Sequence, residues 1–538
     1  MKRQLSVITL TVAVVGSLLA GCSSNSNSNS NSNSNREAPS KAPSSTTQAS
    51  TAVPIKLSYW TAVTADVTRS LKTFGESLFY KEMEKKTNVK IEFQHPAVGS
   101  ENEQFNLLVA SGNLPDIIER DFTTYPGGPA KALSDKVLIK LNDIIDKNAP
   151  NLKKYLEEHP EIKKEISTDD GTIYAFPGIG IGNNAVSGGM VLRKDWLNEL
   201  KLEVPVTMDD WTNVLRQFKE KKNAKTPLTL RLTDFSRELF NGAYGIGWDF
   251  YQENGKVKYG PYESNNKNYL AQLNAWYKEG LLDPDFATQD AKSLDAKASN
   301  GSSGAFFAFI GSGMGKYLNA AQGTYDLAGA PYPVLRKGEE PRFINKPFDY
   351  RGAGSAGITP SNKYPVETAK WLDYHYSNEG HILKSFGVEG LTYTMVNGYP
   401  KYTDLIMKNP DKLSVGEAMA KYLRVSTPSP GFVGDDRYID QYYPLQSQKD
   451  ASVIFSRHQK NATAVLLPRV TPAVAEASEL STIMSEVKTY QSEMFLKFIM
   501  GVEPLANYDK YIAQMKSLKI ERAIAIQQNA LDQYNKRK

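Results

Sequence analysis

The sequence holds a single cysteine, Cys22, and five histidines. One cysteine excludes disulfides within the chain, zinc bound by cysteines and a catalytic thiol in a folded body. His95, His159, His375, His381 and His458 contain no HExxH, and the one close pair, His375 and His381, lacks the spacing that would put both on one helix face. They read as surface or core histidines. No serine carries glycine at both i−2 and i+2, so the strained turn that presents a nucleophilic serine is missing. Basic excess is missing too. The 64 basic and 59 acidic residues are interspersed, and losing residues 1–21 would remove Lys2 and Arg3 and no acid, leaving a balance of +3. A nucleic-acid binder needs a concentrated positive face to release counterions, so nucleic acid is discounted as a partner.

Two glycine motifs fail on context. Gly352-Ala-Gly354-Ser-Ala-Gly357 matches GxGxxG, but Pro360 follows where a helix should open. Gly311-Ser-Gly313-Met-Gly315-Lys316 lacks the first glycine of a phosphate loop, and Tyr317 stands where a magnesium-binding hydroxyl is required. Asp435 and Asp436 are acids of the type used in glycoside cleavage, but the sequence places no two carboxylates at the required separation.

What is present begins at the N-terminus. Lys2 and Arg3 precede the short apolar stretch Leu5 to Ala20, and Leu19-Ala20-Gly21-Cys22 is a lipobox-type cleavage site. The stretch is too short and wrongly flanked for a transmembrane helix. Residues 1–21 are therefore expected to be a lipoprotein signal peptide and Cys22 the lipidated residue, palmitate-bearing; two acyl chains are about what stable anchoring requires. Residues 22–52, with strict Ser-Asn alternation from Ser24 to Asn35, have almost nothing apolar to bury and read as a disordered tether or, in a rival reading, as a sugar-attachment tract. About 30 such residues span roughly 30 Å. The tether suggests a thick-walled bacterium without an outer membrane.

From Ile55 the pattern becomes globular. Ile55–Trp60 and Val89–Phe93 alternate as strands, with a helical stretch between them, and Glu103–Val109 looks helical. Strands alternating with helices predict an α/β sheet built of crossover units. Thr207 and Asp210 form a capping-box start, followed by Trp211, Val214, Leu215 and Phe218 at helical spacing. Ile483, Val487, Tyr490, Met494 and Phe498 make the apolar stripe of a long late helix. Gly178–Gly189 and Gly352–Gly357 lack helical periodicity and are expected to be crossings between lobes.

These residues resemble the large extracellular solute-binding lipoproteins of bacterial ABC importers, in particular the oligosaccharide-binding group that includes alginate-oligosaccharide binders. The likeness runs from about Ile55 to Tyr534. It is carried in order by Gln104–Asp116 (QFNLLVASGNLPD), Gly171–Pro177 (GTIYAFP), Arg193–Leu197 (RKDWL), Trp276–Pro284 (WYKEGLLDP), Pro365–Thr368 (PVET) and Phe386–Tyr393 (FGVEGLTY). The resemblance implies a two-lobe α/β fold of the periplasmic-binding-protein type II class, with hinge crossings and a helical C-terminus. Residues 53–180 with 353–425 would form one lobe and 181–352 with 426–538 the other. It further implies a non-enzymatic monomer outside the cell, held at the membrane by lipid, that passes an oligosaccharide to permease subunits. A secreted polysaccharide-active enzyme, or a receptor for peptide or another solute, stands as the alternative. Alginate-binding relatives carry a calcium loop where this chain reads Lys219–Pro227 (KEKKNAKTP), without the carboxylates calcium needs, so neither metal nor cofactor is expected there.

Sugars present apolar faces and hydroxyl rims, so their sites combine aromatic platforms with planar polar groups. Trp60, at the end of the first strand, and Gln104, Asp121 and Tyr125 around the Pro115-Asp116 strand sit where open α/β sheets place ligands. Tyr244 and Trp248 lie in a glycine-rich aromatic cluster. Phe306, Phe307 and Phe309 precede a glycine turn and match a position where relatives carry a stacking tryptophan. Arg351 precedes the second glycine crossing. Phe432, Asp435, Arg437 and Tyr438 complete the candidate set; this loop bears a tryptophan in alginate binders, and here Val433 takes that position. Trp196, Trp211, Trp276 and Trp371 occupy helical patterns and are expected in the core.

Overall fold

The first strand shows how the local pattern builds the fold. Leu57 and Tyr59 are fully buried on one face, and the Asp116 carboxylate takes hydrogen bonds from the Ser58 backbone N–H and hydroxyl, both at 2.7 Å, tying the next-but-one strand alongside. The computed structural model describes residues 54–537 apart from 182–185, 346–349 and 425–428, so Cys22 and the tether lie outside the described residues. In chain order the strands are β1 (Ile55–Thr61), β2 (Val89–Gln94), β3 (Ile117–Glu119), β4 (Phe176–Gly180), β5 (Gly188–Arg193), β6 (Thr226–Thr229) and β7 (Phe250–Glu253). They continue as β8 (Lys256–Tyr259), β9 (Ser303–Phe309), β10 (Leu327–Gly329), β11 (Tyr350–Ile358), β12 (Tyr393–Val396), β13 (Tyr399–Tyr402) and β14 (Gly431–Val433).

Two sheets define two lobes. The first runs β14-β4-β11-β3-β1-β2 and the second β10-β5-β9-β6, while β7-β8 and β12-β13 are separate hairpins. β1, β2 and β3 are parallel, β11 runs antiparallel to β3 and β4, and β14 is parallel to β4. In the second sheet β5 is antiparallel to β9 and β10, and β6 is parallel to β9. The chain leaves the first sheet after β4, returns in β11 and leaves again after β14. β14, beyond the expected boundary at 425, is a strand of the first sheet, its place set by pairing with Gly178–Gly180. The expected crossing at Gly352–Gly357 lies wholly inside β11, with a register shift between Arg351 and Ala356, and opens no helix.

Those polarities put one edge of each sheet toward the crossings. On the first lobe it carries the C-terminal ends of β1, β2, β3, β4 and β14; on the second it carries the start of β5 and the ends of β6, β9 and β10. Ligands of open α/β sheets bind outside the carboxyl ends of strands.

Second-lobe packing follows the sequence pattern. Thr207 Oγ1 accepts from the Asp210 N–H at 3.1 Å and Asp210 Oδ2 accepts from the Thr207 N–H at 2.9 Å, starting the helix Met208–Lys221. That helix buries Trp211, Val214, Leu215 and Phe218, and Trp196, Trp276 and Trp371 are buried as expected. The helix Val474–Met500 packs on Asn266–Lys278, where Asn274 Nδ2 donates to the Phe498 and Ile499 carbonyls at 3.0 Å each.

A buried network fixes the chain ahead of β14. Arg424, 1% exposed, donates to the Glu119 carboxylate at 3.2 Å and to the Tyr80 hydroxyl at 3.2 Å, and Tyr59 donates to Glu119 Oε2 at 2.6 Å. Burial raises the Glu119 pKa, and the Arg424 charge opposes that rise without cancelling it. Where β4 and β11 meet this segment, backbone approaches backbone. A Cβ on Gly178 would lie 2.6 Å from the Ser429 carbonyl oxygen, and one on Gly354 2.7 Å from the Ser429 nitrogen. We expect Gly178→Ala to lower the unfolding free energy by about 1–3 kcal/mol, because backbone on both sides must shift. Urea denaturation against the wild type checks this, and an unchanged midpoint contradicts the close approach.

Candidate ligand cleft

On the first-lobe edge Trp60 packs on Phe105, ring centres 5.7 Å apart. Trp60 and Gln104 line an open cavity of about 320 Å³ with Gln94, His95, Leu107 and Leu108, a size that suits a sugar or two. Gln104 Oε1 accepts from the Ala97 N–H at 3.2 Å, which turns the 96–100 loop over the helix Glu101–Ser111. Leu107 is 63% exposed on the cavity rim. Asp121 caps the turn after β3 by accepting from the Thr123 N–H, and its other oxygen pairs with Arg469 Nη1 at 2.7 Å. Burial alone would raise the Asp121 pKa; the Arg469 charge and the Thr123 bonds outweigh it and leave it lowered. Tyr125 is packed behind this wall, edge-on to Phe105, and donates to Asp135 Oδ2 at 2.9 Å. Burial and the Asp135 carboxylate push its pKa up to about 12.

On the second-lobe edge, Phe309 ends β9 opposite Gly188, the first residue of β5. It is half-buried and meets the fully buried Phe307 edge-to-face at 5.2 Å. Arg237 lies over both rings, 4.5 Å from the centre of Phe307 and 4.9 Å from that of Phe309. Tyr244 and Trp248 turn into the lobe's own packing, against Tyr269 and Phe495 respectively.

The crossing carries the remaining candidates. Phe432 is packed among Tyr155, Tyr376 and His381, with ring centres 5.1–5.9 Å away. Asp435 caps the helix Asp436–Tyr442: Oδ1 accepts from the Arg437 N–H at 2.8 Å, Oδ2 lies 2.8 Å from His381 Nε2, and the Arg437 side chain closes on both oxygens. Burial favours the neutral acid, but the His381 and Arg437 hydrogen bonds win and hold its pKa well below the carboxylate range. Asp435 and Arg437 thus satisfy one another. Tyr438, half-buried, packs against the second-lobe core and against the smaller cluster around Phe386, Tyr402 and Met419. The Arg351 backbone pairs with Gly178; its side chain lies outside the described residues.

The structure thus brings Trp60, Gln104 and Asp121 to one edge and Phe309, backed by Phe307, to the other. Sequence reasoning missed Arg120 and Arg237. Arg120 follows β3 directly, and its guanidinium sits 3.6 Å from the centre of the Phe105 ring. A position just past a strand's carboxyl end was the available signal for Arg120. Among the described residues no group of three or more His, Cys, Asp or Glu is placed to hold a metal ion.

Residues 64–382, more than half of the chain, match the family described as bacterial extracellular solute-binding protein. The chain belongs to that family. It is 26% identical to the fructooligosaccharide ABC transporter substrate-binding protein FusA of Streptococcus pneumoniae serotype 4 (strain ATCC BAA-334 / TIGR4), over 88% of this chain and 90% of that one. It is 26% identical to lipoprotein LipO of Bacillus subtilis (strain 168), over 66% and 72% of the two chains. Among solved structures, alginate-binding protein AlgQ2 without calcium ion superposes with a TM-score of 0.73 at 26% identity, covering 89% of this family member and 98% of that chain. The two-lobe type II fold is shared with these proteins.

The Asp435 cap gives a signed pH dependence. A folded pKa below the unfolded value of about 3.9 stabilises fully above that value and is lost as pH falls through the folded pKa. Asp435→Asn should cost about 2 kcal/mol at pH 7, and the gap to wild type should narrow below about pH 4. Denaturant titrations at both pH values measure it, and a pH-independent gap contradicts the charge-based account.

Proposed function

We propose that this solute-binding protein is the lipid-anchored extracellular receptor of an ABC importer and captures an oligosaccharide between its lobes, without catalysis. The observation that carries the reading is the pair of strand edges from which the crossings leave, one bearing Trp60 and the 320 Å³ cavity and the other Phe309 on Phe307. Aromatic faces suit sugar C–H surfaces, and neighbouring Gln104 and Gln94 suit hydroxyls. Ligand touching both edges would favour a closed arrangement by population shift, which the permease subunits would recognise.

The lipobox at Cys22 and the likeness to lipoprotein LipO support anchoring at the outer face of the cell membrane. Among the described residues no helix is long and apolar enough to cross a membrane. FusA and AlgQ2 are named for binding fructooligosaccharide and alginate, which supports an oligosaccharide here. The boundary between lobes would then run after Gly180, before Tyr350 and after Val433.

Thermal unfolding of the full-length chain across a panel of oligosaccharides and peptides tests this. An oligosaccharide at about 100 times its dissociation constant should raise the midpoint by roughly 2–5 °C and be recovered intact. Stabilisation by peptides alone, or release of sugar fragments at catalytic turnover, contradicts the proposal.

A further inference from the structure

Arg120 and Arg237 share a combination of features. Each stands at the cleft-facing edge of one lobe, Arg120 directly after β3 and Arg237 over the rings that end β9. Each guanidinium lies over phenylalanine, that of Arg120 3.6 Å from the centre of Phe105 and that of Arg237 4.5 and 4.9 Å from the centres of Phe307 and Phe309. Among the described residues these are the two arginines whose buried Nε–H has no hydrogen-bond partner.

Their acidic neighbours are committed elsewhere. Asp121, next to Arg120, pairs with Arg469 at 2.7 Å, and among the described residues the one side-chain hydrogen bond of Arg120 is from Nη2 to Thr124 Oγ1 at 2.9 Å. Glu119 is held by Arg424 and Tyr59. On the other lobe Asp234 is forked by Arg231, Nη2 to Oδ1 at 2.7 Å and Nε to Oδ2 at 3.1 Å, and it holds Arg237 only as an ion pair, Nε 3.6 Å from Oδ1 and beyond hydrogen-bond reach. The Glu238 carboxylate accepts from the Trp248 N–H at 3.1 Å and from the Asn241 amide.

A buried donor without an acceptor is costly and calls for an explanation. A planar guanidinium carries its donors along its own edge, where they form the two-toothed fork that fits a carboxylate; one hydroxyl occupies a single tooth. With one fork on each lobe, a chain that bears carboxylates on separate residues engages both when the lobes close.

Resting on the oligosaccharide reading above, we propose that Arg120 and Arg237 bind carboxylate groups of an acidic, uronate-type oligosaccharide, and so set the specificity of the cleft for charged over neutral sugars.

Calorimetric titration of the full-length chain with oligogalacturonate, alginate oligosaccharide and a neutral fructooligosaccharide of matched length tests this. At least one acidic sugar should bind about tenfold or more tighter than the neutral one, and raised salt should weaken it. Arg120→Met and Arg237→Met should each lose roughly tenfold for the acidic sugar, with Arg237→Lys recovering only part. Unliganded melting curves of the variants identify any folding defect, and the Lys variant with the salt series then carries the comparison. Neutral sugar bound as tightly as acidic, or acidic binding indifferent to salt and to both arginines, overturns the proposal while leaving an oligosaccharide receptor standing. Binding of none of the three sugars overturns this proposal, and peptide binding in the same assay overturns the oligosaccharide reading with it.

Discussion

Three backbone strands must pass through one place. β4 and β11, which carry the chain between lobes, lie against the segment entering β14 so closely that a Cβ at Gly178 would stand 2.6 Å from the Ser429 carbonyl oxygen. Interiors are packed too densely for such a contact to be absorbed without movement of its neighbours. That constraint fixes which strand ends share an edge, because β14 runs parallel to β4 and β11 opposes both β4 and β3. The cleft follows from it. Trp60, Arg120 and Asp121 stand at the end of the first sheet from which the crossings leave, Trp60 buried there with 6% exposure.

The same place is held by charge as well as by packing. Arg424 and Glu119 are both fully buried, and Lys384 reaches the Pro430 carbonyl at 2.7 Å from a site with no exposure. Asp435, His381 and Arg437 fasten the next helix just beyond β14. The Arg424–Glu119 and Arg437–Asp435 pairs are hydrogen-bonded, whereas the Nε–H of each edge arginine is not. Satisfied polar networks stiffen a fold.

Much of the frame was readable from local pattern. β1, β2, the capping box at Thr207 and the stripe from Ile483 to Phe498 each encode their structure within a dozen or so neighbouring residues, where hydrophobic period and capping chemistry act. β14 was not readable, since three residues carry no period and their place depends on pairing with Gly178–Gly180. Asp435 and Arg437 entered the candidate set as planar polar groups in the loop that aligns with a tryptophan-bearing loop of alginate binders; an aspartate immediately before a helix is also the pattern of a cap. Arg120 was legible only by its place just past β3, and Arg237 not at all. What distinguishes them is the ring each one covers, and that is a tertiary fact.

Central to this account is that two lobes joined at the glycine crossing close on one sugar chain. Small-angle scattering of the full-length chain, with and without a saturating oligosaccharide that calorimetry shows to bind, measures this directly. The account predicts a smaller radius of gyration in the bound state. Superimposable curves at proven saturation would contradict it.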